Sequence, residues 1–419
     1  MGTSPNVKTP CFRGSGLDLV AQTTDHPRGE RRGRLDGEHS QVAAAAGSGP
    51  LGAGVAVSTE KSERELQRYR QRVKAGLDEA FSRAPEKEFD LDEDAMIVLS
   101  DHHRGARDGA DDFWRCEGSY NAALGHYLEA GHHLFLLGDV EELWENRPKA
   151  AVAAYRGTLD LEREFHLAGR LERFWGNHDD TWRHKSSVDK FFSDRFPGLE
   201  IREALRLHMT RGGKRIGELF LVHGHQGTSD SDRFAIFSKQ FVRYGWRPLQ
   251  RRFNIASTTP ARDFELRATH DDSMFEWARA RPDKLVLIAG HTHRPVFGGT
   301  VPPPAVHREL EVVEHELDAL RAAPNRTPEA LAALRAELEF VRTKPFGEPP
   351  KKLWPPCYYN TGCCSFGDGD VTGIEIADGK VRLIRWLNDD YKPVAKLLAE
   401  EDLDVVFEAV QAKALVHPT

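Results

Sequence analysis

Five short polar motifs follow one another along the chain: Asp101-His102-His103, Gly138-Asp139, Gly176-Asn177-His178-Asp179, His223-Gly224-His225 and Gly290-His291-Thr292-His293. Their side chains offer two carboxylates (Asp101, Asp139), one amide oxygen (Asn177) and four imidazoles (His103, His223, His291, His293). Such a set suits two divalent cations. Alternate residues of an extended segment share a face, so Asp101 and His103 can grip one cation together, and His291 and His293 stand on one face in the same way. Asp139, at the end of the next strand, can bridge two cations with its two oxygens. Two metals roughly 3.5 to 4 Å apart clamp the attacking and leaving oxygens of phosphoryl transfer. Nitrogen and oxygen donors without thiolates favour manganese, iron or zinc over magnesium or calcium. The expected cofactor is therefore a pair of divalent ions, manganese first, with iron or zinc as alternatives.

The chemistry expected of this set is hydrolysis of a phosphoester. A metal-bound hydroxide forms near neutral pH, because a divalent ion lowers the pKa of water to about 7. It attacks phosphorus in line while the metals neutralise charge on the nonbridging oxygens. His178 is read as the proton donor to the leaving oxygen, with Asp179 orienting its imidazole and favouring the charged form. His225 is read as a support for the ligands, and His132 and His133 as strand-edge residues with no catalytic task.

Each motif ends an apolar run such as Met96-Ile97-Val98-Leu99, Leu134-Phe135-Leu136-Leu137 or Leu285-Val286-Leu287-Ile288. Buried strands that stop at polar turns deliver side chains to the rim of a sheet. Strand-like runs at 96–100, 134–137, 172–175, 218–222 and 285–289 alternate with helical stretches such as 112–130 and 149–168, which predicts an α/β layered architecture. Residues 358–361, 371–376 and 381–384 read as strands of a second, more antiparallel sheet, with Asp378-Gly379 as a hairpin turn. Leu66, Tyr69, Val73, Leu77 and Phe81 recur at helical spacing.

The expected organisation is a disordered Gly/Ser/Ala-rich tail over 1–60 (or sequence upstream of the true start), an amphipathic helix and lead-in over 61–94, a catalytic domain over 95–388 and a C-terminal helix over 389–419. Within the domain, 226–284 is a lid-like helical insertion and 300–354 a helical hairpin. That hairpin is read as cover for the sheet, with a homodimer contact as the alternative.

The 419 residues are 39% hydrophobic and 29% charged, as in a globular protein with a sizeable core. No apolar run approaches the roughly 18 to 20 residues of a membrane span, so at most a peripheral membrane contact is expected. A net charge of −7 speaks against broad nucleic-acid binding. Cys11, Cys116, Cys357, Cys363 and Cys364 lack the spacing of a zinc cluster and are expected as reduced thiols. No secretory leader is evident, and the chain is expected in the cytoplasm.

In these motifs the chain resembles the calcineurin-like metallophosphoesterases. Their series D-x-H, G-D-x-x-[DE], G-N-H-[DE], H-G-[HD], G-H-x-H is matched by Asp101/His103, Gly138-Asp139 to Glu142, Gly176 to Asp179, His223 to His225 and Gly290 to His293. The resemblance covers about residues 95 to 388. It leaves the tail and the 300–354 hairpin outside and implies a four-layer α/β/β/α sandwich, to which the helical lid and the hairpin are insertions. It also implies that Asp101, His103, Asp139 and His293 hold one metal, and Asp139, Asn177, His223 and His291 the other.

Protein phosphatases of this kind read G-D-x-V-D-R-G at the second motif; here it is Gly138-Asp139-Val140-Glu141-Glu142-Leu143-Trp144. G-D-x-x-E-x-W, with Gly290-His291-Thr292-His293-Arg294-Pro295, instead looks like the UDP-2,3-diacylglucosamine hydrolases, which cleave a pyrophosphate beneath a helical lid. Those enzymes carry arginine where this chain has His178, so their substrate does not transfer. The expected substrate is a phosphorylated small molecule, nucleotide or lipid-linked phosphate, cleaved as a diester or pyrophosphate. Arg104, Arg243, Arg247 and Arg294 are the candidate substrate contacts. A phosphomonoesterase is the alternative enzyme, and a noncatalytic binding scaffold the alternative of another class.

Overall fold

The apolar runs ahead of the first three motifs become neighbouring parallel strands. The computed structural model describes residues 52–108, 111–228, 260–281, 284–298, 300–301, 327–328, 332, 351–367, 369–389 and 392–416. The chain falls into two units, Met1–Gly54 and Val55–Thr419; of the first, only 52–54 are among the described residues.

In chain order, α1 (Gly52–Arg83) leads to β1 (Glu86–Asp90), β2 (Met96–Leu99), α2 (Glu117–Glu129) and β3 (His133–Leu137). Then come α3 (Pro148–Ala154), α4 (Arg156–Leu167), β4 (Leu171–Phe174), α5 (Lys185–Phe192) and β5 (Ile201–Arg202). They are followed by β6 (Ala204–Arg211), β7 (Lys214–Val222), α6 (Pro260–Arg279), β8 (Leu285–Ala289) and β9 (Pro295–Val296). The last are β10 (Thr300–Val301), β11 (Lys351–Lys352), β12 (Tyr358–Thr361), β13 (Val371–Ala377), β14 (Lys380–Asp389), β15 (Lys392–Asp402) and α7 (Leu403–Val416).

One sheet has the order β15-β14-β13-β2-β3-β4-β5, the other β1-β6-β7-β8-β12-β9, and β10 with β11 forms a separate ribbon. Alternation along β2 shows how the layers stack. Met96 and Val98 join a core shared with Leu205, Leu207 and Leu219 of the second sheet, whereas Ile97 and Leu99 pack with Tyr120, Leu124 and Phe165 of α2 and α4. On the far side Phe220 meets Phe81 of α1 and Trp277 of α6, at ring separations of 5.1 and 5.4 Å. Helices thus cover both outer faces of the paired sheets, which is the expected four-layer α/β/β/α sandwich.

Several expectations are corrected. Strands β13 and β14 do not build the second sheet; β13 pairs antiparallel with β2 and extends the first, and only β12 joins the second. Asp378 and Gly379 do form the β13–β14 turn, with φ of 53° and 73°. Residues 389–419 are not one helix. Good helix formers around Leu397-Leu398-Ala399 are drawn into β15, which pairs with β14 from Asp389↔Lys392 to Lys380↔Asp402, before α7 begins. Helix α1 starts at Gly52, inside the segment expected to be disordered to residue 60, because extending a helix adds a hydrogen bond for each residue fixed. The stretch 149–168 breaks into α3 and α4 at Tyr155 (φ −118°, ψ 45°), whose hydroxyl donates to Asp111 Oδ2 at 2.6 Å.

Of the lid segment, α6 is described; 229–259, with Arg243 and Arg247, lie outside the described residues. So does nearly all of 300–354, and with it the proposed dimer contact. No helix among the described residues is long and apolar enough to cross a membrane.

Candidate metal centre

The motif turns follow the ends of β2, β3, β4, β7 and β8, and backbone hydrogen bonds splice them together. Asp101 N–H donates to Gly138 O at 3.1 Å, His103 N–H to Asp139 O at 2.9 Å, and Gly290 N–H to His223 O at 2.9 Å. Among the described residues, seven non-glycine residues have left-handed backbone, and five of them are expected ligands: Asp101, His103, Asp139, His291 and His293, with φ between 51° and 70°. This conformation costs a substituted residue on the order of 1 kcal/mol or more and persists only where surrounding structure imposes it. Gly176 is needed for a related reason: a Cβ there would overlap the Asp139 carboxylate.

The side chains converge in two triads, Asp101/His103/His293 and Asp139/His223/His291, with each triad's ligand atoms within 4.8 Å of one another. His293 Nε2 lies 3.3 Å from Asp101 Oδ1 and 3.1 Å from His103 Nε2. Asp139 Oδ2 stands 3.2 Å from His223 Nε2 and 3.9 Å from His103 Nε2, so it faces both triads. Its other oxygen accepts the His178 N–H at 2.8 Å. His223 Nδ1 donates to Leu137 O at 2.8 Å, which leaves Nε2 as the ligating atom. Among the described residues, buried Asn177 Oδ1 has no hydrogen-bond partner, and His223 Nε2 faces the Asp139 carboxylate. A buried acceptor left in this way is costly unless a cation meets it, and the donor set fits divalent metals.

Charge follows the same geometry. Burial alone would lower the His103 imidazole, but its hydrogen bond to Glu142 and the Asp139, Glu142 and Asp101 carboxylates raise it to about 10. In His223, burial is likewise overcome by Asp139 and Asp101, and the imidazole rises to about 9. Burial, reinforced by His270 and His223, holds His291 well below the usual range. Burial would raise Asp101 and Asp139, yet both are lowered, Asp101 chiefly by His293 and His223 and Asp139 by His223 and His178.

His178 borders this pair of triads, but Asp179 does not orient it. The Asp179 carboxylate accepts from Gly176 N–H at 2.6 Å and Val140 N–H at 2.9 Å and braces the two turns; burial and the Asp139 charge push it up to about 7. Glu142 takes the role instead. Its Oε2 lies 2.6 Å from His178 Nδ1 and 3.1 Å from His103 Nδ1, and Trp144 stacks on the His178 ring at 3.6 Å between centroids. Glu142 and Trp144 were present in the second motif, and only the fold reveals their partners.

Arg104 and Arg294 are corrected as substrate contacts. Arg104 is 1% exposed, pairs with Glu162 and lies over the Phe113 and Tyr120 rings. Arg294 is 4% exposed and pairs with Asp271 behind the His291–His293 turn at 3.3 Å. His225 is buried 5.4 Å from the His223 ring, beside the ligands, and burial lowers it to about 3. His132 and His133 sit at the start of β3, away from the triads.

No family model matches this chain, and no curated protein matches it in sequence. Among solved structures, vacuolar protein sorting 29 from Cryptosporidium parvum is similar at 12% identity and a TM-score of 0.31, spanning 74% of this chain and 98% of that one. So low a score adds nothing to what the residues themselves carry.

Proposed function

We propose that this protein is a phosphoesterase dependent on two divalent metals, acting on a phosphodiester or pyrophosphate. The observation that carries the reading is the pair of triads meeting at Asp139 Oδ2, with His178 held beside them by Glu142. Asp101, His103, Asp139 and His293 would hold one ion, and Asp139, Asn177, His223 and His291 the other. When bound, such ions supply positive charge for the phosphoryl oxygens and acidify water. Manganese suits the mixed imidazole and oxygen donors, with iron or zinc as alternatives.

The chain's own residues supply the rest. Glu142 accepts from Nδ1 of His178, which fixes the ring and leaves Nε2 to deliver a proton to the leaving oxygen. Trp144 covers one face of that ring and restricts its rotation. Glu142 also fixes the ligand His103, so one carboxylate aligns the proton donor with the metal centre. A noncatalytic scaffold would not need His178 so constrained.

The substrate class rests on the second motif, which departs from the protein-phosphatase pattern, and includes phosphorylated small molecules, nucleotides and lipid-linked phosphates. Cys116, Cys357, Cys363 and Cys364 are all buried, and a reducing, cytoplasmic setting belongs to this reading. Mn²⁺-dependent hydrolysis of bis-p-nitrophenyl phosphate beside p-nitrophenyl phosphate tests the proposal. Preference for the diester, abolished by Asp139→Asn, is expected. Monoester preference would favour a phosphatase, and a protein that binds no metal and turns over neither ester would end the catalytic reading.

A further inference from the structure

The turn that carries His223 is held by a residue far outside the motifs. Tyr69, on α1, has its hydroxyl 2.8 Å from His270 Nδ1, and His270 Nε2 lies 2.6 Å from Gly224 O. A carbonyl can only accept, so Nε2 carries the proton, Nδ1 is bare and Tyr69 donates to it. The result is a directed chain from α1, through α6, to the peptide between His223 and His225. The neighbouring groups are tied as well: Gly224 N–H donates to Gln226 Oε1 at 3.1 Å, and His223 O accepts from Gly290.

Two further contacts make this more than a local bond. The His270 ring packs 5.1 Å from the ring of His291, the second imidazole of the same triad. Gly227 has φ of 82° and lies so close to α1 that a Cβ would overlap the Arg72 carbonyl, so the helix backbone rests directly on the turn. Tyr69 and His270 are 7% and 2% exposed, and Tyr69 belongs to a cluster with Val73, Leu77, Met274 and Phe275. Phenylalanine and leucine would fill that space without any polar group to satisfy. A buried polar pair in such surroundings contributes little net stability but fixes geometry.

We propose that α1 is a working part of the metal centre: Tyr69, acting through His270 on the Gly224 carbonyl, is a positioning residue for the cation held by His223 and His291. The proposal rests on the two-metal reading above. Groups that orient ligand-bearing segments typically alter metal affinity by about 10- to 100-fold when removed. Tyr69→Phe deletes one hydroxyl and keeps the ring. His270→Gln can keep a donor towards Gly224 and an acceptor towards Tyr69, whereas His270→Leu keeps neither.

Calorimetric Mn²⁺ titration of the full-length chain, with thermal melting of the metal-free forms, decides the matter. His291→Ala marks which of two binding steps belongs to the Asp139/His223/His291 triad. Tyr69→Phe and His270→Leu are expected to weaken that step by about 10-fold or more, leave the other step unchanged, and melt close to wild type; His270→Gln is expected to restore much of the loss. Wild-type binding at both steps in folded Tyr69→Phe would overturn the proposal while leaving the two-metal reading intact. Equal weakening of both steps with a lowered melting temperature would also overturn it, since that is loss of packing alone. A wild-type protein that binds no Mn²⁺ would overturn both readings.

Discussion

Oε2 of Glu142 lies 2.6 Å from Nδ1 of His178, three residues beyond the Asp139 carboxylate that joins the two ligand triads. The same oxygen reaches Nδ1 of His103 at 3.1 Å, so a single carboxylate serves a ligand and a proton donor. Burial would raise Glu142, but the two imidazoles overcome it and hold the carboxyl at about 2, ionised at any working pH.

If His178 protonates the leaving group, its value depends on how much that group needs a proton. For an alkyl leaving group, His178→Ala is expected to lower kcat by about 100- to 10,000-fold. For p-nitrophenolate, a stable anion near neutral pH, the loss should be far smaller. Glu142→Gln should follow the same trend more weakly, because the amide oxygen can still accept from both imidazoles but lacks the carboxylate's charge. Equal losses on alkyl and nitrophenyl diesters would show that His178 binds substrate and transfers no proton.

Metal binding should release protons. In the metal-free protein His103 and His223 are raised to about 10 and about 9, so both are charged at pH 7.5, yet each must be neutral to ligate. On the order of two protons should leave on filling the centre, and apparent affinity should climb as pH rises from 6.5 to 8.5. Calorimetry in two buffers of different ionisation enthalpy reads this directly. A binding heat independent of buffer would contradict the charge state assigned to these imidazoles.

Asp179→Asn separates two roles that adjacency in sequence blurs. The carboxylate braces Gly176 and Val140 and makes no contact with the His178 ring. Asparagine offers one acceptor oxygen where Gly176 N–H now bonds one carboxylate oxygen and Val140 and Glu141 N–H the other. One buried donor is left unpaired, a loss of about 1 to 3 kcal/mol. Denaturant unfolding of the metal-free protein should show that loss, while kcat of the loaded, folded variant stays within a few-fold of wild type. A hundredfold fall in kcat with unchanged stability would restore Asp179 to a direct catalytic role.

Legibility in the sequence followed the range of the forces involved. The ligands were readable because each motif follows an apolar run such as Met96–Leu99, although Asp101, His103, His291 and His293 sit in left-handed turns past the strand ends rather than on one extended face. The partner of His178 was not readable. Asp179 is its neighbour in sequence, but the turn swings that carboxylate back beneath Gly176, and Glu142 arrives from a different strand end. Arg104 and Arg294 sit next to ligands in sequence for a similar reason, yet their side chains turn into the interior to meet Glu162 and Asp271. Tyr69 and His270 are 201 positions apart, so no local pattern could join them. In β15, pairing with β14 overrode a helical composition, as tertiary context often does for edge segments.

His270 also predicts how the fold fails in acid. Burial lowers its imidazole from 6.5 to about 4, helped by the nearby His223 charge and opposed by the hydrogen bond to Gly224. The folded state therefore resists a proton that the unfolded chain accepts. Below pH 6.5 the unfolded state binds more protons at this position, so stability falls as pH drops and levels off below about 4, where both states are charged. The gap corresponds to on the order of 3 kcal/mol for a fully buried group. His270→Gln, which cannot take up a proton, should lose less stability than wild type between pH 6.5 and 4, and the two stability curves should converge or cross in that interval. Parallel curves, measured by urea unfolding of the metal-free proteins, would mean that His270 is already protonated in the fold. Tyr69 could then no longer donate to it, and the chain to Gly224 would have to run in another direction.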